Sequence, residues 1–199
     1  MKRKKSAIVY AAMLVIAVAV MVFGKFSGLD ILQLFSGIIA AMSVVLLGIE
    51  LFQSRKVSEG EFLANLNQMF VENESYRKAY TLFENYDFEN CPDLELENVE
   101  ISNYLTFFEV FQLLIDRDTL TIDMFDDLFG YRFFIAVHNP YVQKQKLVKL
   151  PNNFRNLYRL ERDWRKYREK KGTAVFHDEY SLDKQLDSET YKAVVRKKR

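Results

Sequence analysis

Two long uncharged stretches dominate the hydropathy pattern of the N-terminal quarter. The first extends from Ser6 to Gly24 and the second from Ile31 to Ile49. Because an α-helix rises about 1.5 Å per residue, each stretch is long enough to cross about 30 Å of hydrocarbon. The pattern predicts a transmembrane helical hairpin over residues 1–56, with spans at about 6–24 and 31–52. A cleavable signal peptide is the alternative for the first stretch, but its apolar region is too long and no small-residue cleavage site follows it.

Basic residues near the ends of the two stretches predict their orientation. Residues 2–5 are all Lys or Arg, Arg55 and Lys56 follow the second stretch, and the connecting turn 25–30 carries one charge of each sign. Basic flanks stay on the cytoplasmic side of a membrane. The sequence therefore predicts a multi-pass protein of the inner (cytoplasmic) membrane with both termini in the cytoplasm.

Polar and small residues recur at helical spacing along the second stretch. The hydrogen-bonding and charged members of this seam are Gln33, Ser36, Ser43 and Glu50. Polar groups in lipid turn toward protein or water, so the seam indicates either packing against the first span or contact between protomers around a narrow path. The second interpretation needs several copies of the chain. We therefore expect the lipid bilayer and a homo-oligomer as partners.

The periodicity of residues 57–199 predicts a cytosolic all-α domain of about five to six helices. Ser58 and Glu61 form a capping-box pattern, and Asn73 is a second candidate N-cap. Apolar residues at helical spacing predict a helix from about Val99 to Ile115. Thr121 is positioned to cap the next helix, whose apolar residues include Leu128, Phe129 and Phe133.

Prolines and one glycine divide the second half of this domain. Pro140 ends one helix and opens a short one at its first turn, and Pro151 interrupts the chain again. The last long helix is predicted from Asn153 to Lys171, ending at Gly172 in a left-handed cap. The partly β-branched residues 173–176 permit a short strand.

Composition argues against several kinds of chemistry. The single cysteine, Cys91, cannot form an internal disulfide, and together with His138 and His177 it fits no structural zinc pattern. The sequence has no Gly-rich phosphate loop and no nucleophile elbow. The acids between Asp116 and Asp127 lack the glycine and the terminal glutamate of a calcium loop. We therefore expect no metal, no cofactor and no enzymatic activity.

The charges of the C-terminal region fall into two opposite blocks. Residues 84–131 carry 13 acids and one base, whereas residues 132–171 carry 12 bases and three acids. Adjacent blocks of this size predict a dipolar domain. Within the acidic block, Glu109 follows two phenylalanines, and we expect it to be partly buried with Arg132 or Arg155 as its partner.

Three interpretations of the basic block remain open. It is a solvated face that pairs with the acidic block within or between protomers, a contact for anionic lipid headgroups, or a site for an anionic ligand. The third rests on arginines at helical spacing, because guanidinium groups bind phosphate in bidentate geometry and neighbouring aromatic rings stack on bases. The candidate ligand-binding residues are Lys146, Lys149, Arg155, Tyr158, Arg159 and Arg162. On this third interpretation the ligand is an anionic nucleotide messenger or a nucleic acid strand. Duplex nucleic acid is not expected, since the site would face the membrane and the acidic block would repel the duplex backbone.

Three stretches rich in aromatic and acidic residues resemble a widespread family of uncharacterised bacterial membrane proteins. These stretches are Asn103–Glu109, Asp116–Leu120 and Asp126–Tyr131, and the resemblance covers about residues 60–170. It implies two N-terminal spans, a cytosolic helical domain and no enzymatic activity. The predicted architecture is also similar to CRISPR-associated membrane effectors that bind cyclic oligoadenylate, which implies a role in bacterial antiviral defence.

These observations lead to two hypotheses. In the first, the protein is an oligomeric membrane-anchored effector whose helical domain senses an anionic ligand, such as a cyclic nucleotide messenger, and alters the membrane spans. In the alternative, it is a membrane-anchored scaffold that recruits a cytosolic protein through its acidic and basic faces.

Overall fold

The computed structural model describes Val22 and residues 31–196, with side chains from residue 36 onward except residue 38. Helix makes up 79% of the structure, and this described part of the chain contains no strand. The predicted all-α class is therefore confirmed. The chain divides into two compact units, Met1–Phe62 and Leu63–Arg199.

The first described helix, α1, extends from Ile31 to Glu72 without interruption. It passes straight through Ser58 and Glu61, so the predicted capping box at these residues is wrong. The physical reason is that no proline interrupts residues 31–72, and the one nearby glycine, Gly60, is tolerated inside a helix. The first helix of the second unit is therefore the C-terminal end of α1.

The predicted polar seam falls on the N-terminal half of α1. Ser36, Ser43 and Glu50 are exposed on this helix, and the Ser43 hydroxyl donates to the Ile39 carbonyl at 2.8 Å. The side chain of Gln33 lies outside the described residues, as does the predicted first span except for Val22.

The predicted membrane location is wrong. A helix must present about 20 mostly apolar residues in succession to cross a bilayer. Across the part of the chain that the structure describes, no helix has both the length and the apolar character for this. The expectation of a multi-pass protein of the inner membrane with cytoplasmic termini is therefore not supported.

The second unit consists of the end of α1 and seven further helices. The long ones are α2 (Glu74–Glu84), α3 (Asn98–Asp116), α4 (Ile122–Val137) and α6 (Arg155–Lys171). The short ones are α5 (Pro140–Val142), α7 (Leu182–Gln185) and α8 (Ser188–Val195). A π-helical turn at Gln143–Leu147 and 3-10 turns at Pro151–Phe154 and Asp178–Tyr180 connect them.

Side-chain caps explain where several of these helices begin. The Asn73 carboxamide accepts the Tyr76 N–H at 3.1 Å, as predicted for the start of α2. At α3, Glu97 and Glu100 form a reciprocal capping box that the sequence pattern did not indicate. Thr121 precedes α4 as predicted, although its side chain makes no capping hydrogen bond.

Aromatic side chains from α3, α4 and α6 fill the centre of the second unit. Trp164 is fully buried, with its ring edge-on to Phe125 at 4.7 Å and stacked on Phe133 at 4.8 Å between centroids. Edge-to-face and offset-stacked pairs of this kind stabilise beyond the area that they bury. The core therefore fixes α6 firmly against α3 and α4.

Residues 172–196, the described part of the chain after α6, contain no strand. Gly172 adopts a left-handed conformation with φ +72°, as predicted, and residues 173–175 are irregular. A strand needs a neighbouring strand to satisfy its backbone groups, and the second unit offers only helices. Side chains satisfy the backbone carbonyls of this segment instead. Arg168 donates to the Ala174 carbonyl at 3.0 Å, and His138 Nδ1 lies 2.7 Å from the Phe176 carbonyl.

Candidate functional site

Most arginines of α6 are partnered within the domain. Arg168 pairs with Asp126 on α4, and Arg165 contacts both Asp178 and Asp183 at 2.8 Å. The Tyr167 hydroxyl also donates to a carboxylate, that of an exposed aspartate at the start of α4. Of the three interpretations of the basic block, the contacts of Arg168 and Tyr167 favour pairing with the acidic block inside one protomer, whereas the partners of Arg165 lie outside that block.

A cavity of about 310 Å³ opens where the N-terminal end of α6 meets the C-terminal half of α3. Its lining is strongly polar and consists of Glu109, Asp116, Asn152, Asn153, Arg155, Asn156, Arg159 and Arg196. We call this space the α3–α6 cavity. Three cations, two carboxylates and three amides therefore face one small volume.

Arg159 is the most buried cation of the α3–α6 cavity. The residue is only 9% exposed, and its guanidinium binds the Asp116 carboxylate with both terminal nitrogens, one of them at 2.7 Å. Its Nε is buried and has no hydrogen-bond partner among the residues that the structure describes. A buried donor without a partner costs free energy, so this guanidinium has unused capacity to bind an acceptor.

Arg155 lies one helical turn before Arg159 and is bound to the C-terminal end of α8. Its Nη2 donates to the carbonyls of Ala193 at 2.7 Å and Arg196 at 3.3 Å. Arg162 lies one turn further along α6, outside the cavity, and its Nη1 is 3.4 Å from the Val195 carbonyl. The hydrogen bond from Arg162 to Asp163 raises the pKa of the guanidinium.

Glu109 closes the N-terminal end of α6. The backbone N–H groups of Asn156 and Leu157 lie close enough to its carboxylate to lower the pKa, whereas Phe154, the N-cap residue of α6, offers no side-chain cap. Burial raises the pKa of this carboxyl, although the two N–H donors oppose the shift. Glu109 is half-buried as predicted, but its partner is the backbone of α6 and not a basic side chain.

Arg132, the other predicted partner of Glu109, is engaged elsewhere. Its Nη1 donates to the Asn67 carboxamide at 2.8 Å, and its guanidinium lies over the Phe70 ring at 4.6 Å. This arrangement ties α4 to the end of α1. Arg132 therefore contributes to packing, away from the α3–α6 cavity.

The structure separates the other predicted ligand-binding residues from Arg155 and Arg159. Tyr158 is fully buried, and its hydroxyl donates to the Leu147 carbonyl at 3.1 Å, so its ring has no exposed face on which a base would stack. Lys149 lines a different groove of about 370 Å³, together with Lys144. Lys146 lies half-exposed on the π-helical turn and lines neither space.

Several residues of the α3–α6 cavity were not singled out from the sequence. The amides of Asn152, Asn153 and Asn156 surround the start of α6, and Arg196 reaches the same cavity from the chain end. The asparagine-rich segment after Pro151 is a visible signal, since amides bind oxyanions and precede helix N-termini. The position of Arg196 depends on tertiary structure and has no local signal.

The geometry of the α3–α6 cavity suits reversible binding of an oxyanion. The arginine guanidinium groups, the asparagine amides and the positive end of a helix all favour a bound negative charge. The carboxylates of Glu109 and Asp116 already neutralise part of this positive potential. Within the described part of the chain, no group of three His, Cys, Asp or Glu residues is placed to hold a metal ion.

Comparisons of the chain with family models, with curated proteins and with solved structures find no match.

Proposed function

We propose that the helical domain is a non-enzymatic binding protein for a small phosphate-bearing anion, which occupies the α3–α6 cavity. The observation that carries this proposal is Arg159, a residue that lines the polar α3–α6 cavity, is only 9% exposed, and has a buried Nε without a hydrogen-bond partner among the described residues. A phosphate oxygen supplies the missing acceptor. The planar guanidinium group also matches the geometry of phosphate oxygens.

Two further groups support an anion at this position. The N-terminal end of α6 contributes the positive pole of its helix dipole, and Arg155 supplies a second guanidinium one turn away. Two carboxylates oppose anion binding. Glu109 interacts with the first N–H groups of α6, and Asp116 binds the guanidinium of Arg159. The incoming anion therefore exchanges with internal carboxylates, which predicts modest affinity and sensitivity to pH.

The size of the cavity restricts the ligand. A volume of about 310 Å³ lies at the lower end of the range for small-molecule sites, roughly 300–1,000 Å³. This volume suits a mononucleotide or a phosphorylated metabolite. A cyclic oligonucleotide would need cavities from several protomers, and assembly into a homo-oligomer remains a prediction. The expected antiviral output depended on membrane spans and is not part of this proposal.

Titration of the full chain with inorganic phosphate and with adenosine monophosphate tests the proposal. Isothermal titration calorimetry should show binding that weakens at least about tenfold in the double variant Arg155→Ala and Arg159→Ala, because each charge-assisted hydrogen bond contributes about 1.5–3 kcal/mol. Arg159→Lys, which keeps the charge but loses the fork, should weaken binding as well.

The matched control is Lys144→Ala with Lys149→Ala, which removes the same charge from the other groove. This variant should bind phosphate as the unchanged chain does. An equal loss of phosphate affinity in both double variants would show that binding depends only on net charge and would contradict the proposal. Absence of binding at millimolar phosphate would also refute it. Far-UV circular dichroism checks that each variant retains its helices.

A second candidate function is favoured by the acidic loop between α2 and α3. Asp87, Glu89, Asp93, Glu95 and Glu97 are all exposed there. Since the arginines of α6 are engaged within the domain, this loop retains its negative charge at the surface. It suits a scaffold that recruits a basic protein partner. Capture of a stoichiometric partner that is lost when Asp93 and Glu95 are changed to Asn and Gln, and that is unaffected by phosphate, would support this function.

A further inference from the structure

The C-terminal helix α8 is held against α6 by arginines that bind its last carbonyls. Arg155 donates to Ala193 and Arg196, and Arg162 lies within hydrogen-bonding distance of Val195. The last carbonyls of any helix lack intrahelical partners. The two arginines therefore serve as an external C-cap of α8.

One side of α8 packs against the domain through apolar and aromatic side chains. Val194 is buried, and the Tyr191 ring lies 6.2 Å from that of Tyr158, but Lys192 and Ala193 are exposed. The helix has eight residues, and helices of this length are marginal without tertiary support. Docking of α8 therefore depends on the hydrogen bonds from the two arginines as well as on these buried side chains.

Arg155 belongs to both the dock of α8 and the α3–α6 cavity. It lines the cavity with Arg159, and the same Nη2 group holds the end of α8. Arg196, the residue that follows α8, lines the cavity too. An occupant of the cavity therefore lies next to the C-terminal end of α8.

We infer that an anion bound in the α3–α6 cavity releases helix α8 from α6, so that the protein signals occupancy through its C-terminal segment. This inference rests on the proposed function. It adds that the anion and the end of α8 compete for Arg155. The C-terminal segment then carries the output of binding.

Electrostatics supply the competition. The C-terminal end of a helix is the negative pole of its dipole and the N-terminal end is the positive pole. In the docked state the negative end of α8 faces the cavity, where it satisfies Arg155 as an internal substitute for an anion. A bound phosphate repels those carbonyls and forms stronger, charge-assisted hydrogen bonds with the arginine. The two occupants are therefore mutually exclusive partners of one guanidinium.

Such competition is reciprocal. If the anion weakens docking of α8, then a change that weakens docking strengthens anion binding by up to the same factor. Asp187 offers such a change away from the cavity, because its carboxylate caps α8 by accepting the N–H groups of Glu189 and Thr190. Loss of an N-cap of this type weakens a helix about fivefold.

The test combines hydrogen exchange with phosphate binding on the full chain. Inorganic phosphate at saturating concentration should increase amide exchange in residues 190–195 and leave the exchange of α3 and α4 unchanged. The variant Asp187→Ala should bind phosphate up to about fivefold more tightly. Asp187→Asn is the matched control, because asparagine caps as well as aspartate while removing the charge, and it should bind as the unchanged chain does.

The outcomes separate this inference from the proposed function. Phosphate binding that depends on Arg159, together with unchanged exchange in residues 190–195 and unchanged affinity in Asp187→Ala, overturns the release of α8 and leaves the binding function standing. Failure of the unchanged chain to bind phosphate overturns both. Because the exchange measurement uses the unchanged chain, it decides the question even if Asp187→Ala does not fold.

Discussion

Arg168 and Asp126 form an ion pair inside the helical domain. The Arg168 Nε donates to the Asp126 carboxylate at 2.7 Å, and the two side chains are only 7% and 2% exposed. The same carboxylate oxygen accepts the Trp164 indole N–H at 2.7 Å. This contact joins α4 to α6 and brings the acidic block of the sequence against the basic block in the core.

The buried ion pair predicts a large loss of stability in Asp126→Asn. Removal of one partner leaves the Arg168 charge buried with insufficient compensation, which typically costs about 3–5 kcal/mol. Urea denaturation of the full chain, followed by Trp164 fluorescence, measures the change in the free energy of unfolding. Asp127→Asn is the control, since Asp127 is exposed beside it, and we expect a change below about 0.5 kcal/mol. A loss under 1 kcal/mol in Asp126→Asn would contradict this account.

Close packing at Gly130 predicts the effect of adding one methyl group. A β-carbon at this position would overlap with Arg168 Nη2 and lie 3.1 Å from Asp126 Oδ1. Gly130→Ala should therefore displace the Arg168 guanidinium and cost about 1–3 kcal/mol, although alanine is the better helix former. Thermal unfolding monitored by circular dichroism tests this expectation.

Gly60 provides the matched control for Gly130. It is also inside a helix, but nothing lies within 4 Å of a β-carbon built there. Gly60→Ala should leave stability unchanged or raise it by up to about 1 kcal/mol. If both variants behave alike, helix propensity and not the contact with Arg168 determines the result.

The helices themselves were largely predictable because their signals are local. Asn73 caps α2, Pro140 opens α5 and Gly172 ends α6, each through backbone conformations that residue type alone restricts. The apolar spacing of α4 identified Phe129 and Phe133 as buried, whereas Leu128 is 45% exposed. Apolar spacing does not distinguish the centre of a buried face from its edge, and so it misplaced Leu128.

The candidate site was predictable only in part because its partners are distant in sequence. Arg155 and Arg159 follow from helical spacing, but their partners Ala193 and Asp116 lie about 40 residues away. The proposed base-stacking role of Tyr158 fails because its side of α6 faces the core. The role of Glu109 as a cap for another helix has no signal in the sequence around it.

The raised pKa of the Glu109 carboxyl predicts how the stability of the folded protein depends on pH. Burial raises the pKa of its carboxyl above the ordinary value of 4.5, so the folded protein holds this proton more tightly than the unfolded chain does. The contribution of Glu109 to stability therefore falls as the pH rises from about 4.5 through its folded pKa, and is constant above that. Glu109→Gln removes this dependence, so the stability of the variant relative to the unchanged chain should rise across the same interval.

Urea midpoints measured at several pH values from about 4 upward test the prediction for Glu109. Glu95→Gln in the exposed acidic loop is the control, and its profile should run parallel to that of the unchanged chain. A parallel profile for Glu109→Gln as well would show that the buried carboxyl titrates as it does in the unfolded state. The same variant should bind phosphate more tightly, because one carboxylate that opposes the anion has been removed.

His138 and Glu161 form a fully buried pair, and its hydrogen bonds predict how substitutions of Glu161 change stability. His138 Nδ1 lies 2.7 Å from the Phe176 carbonyl, which only accepts hydrogen bonds, so Nδ1 carries a hydrogen. Nε2 lies 3.2 Å from Glu161 Oε1, and this contact needs a second proton on the ring or on the carboxyl.

Glutamine at position 161 supplies an N–H donor to a neutral Nε2, whereas leucine supplies none. We therefore expect Glu161→Leu to cost about 3–5 kcal/mol and Glu161→Gln only about 1 kcal/mol, as measured by urea unfolding at neutral pH. Equal costs in the two variants would show that the hydrogen bond to His138 contributes nothing beyond the packing of the side chain.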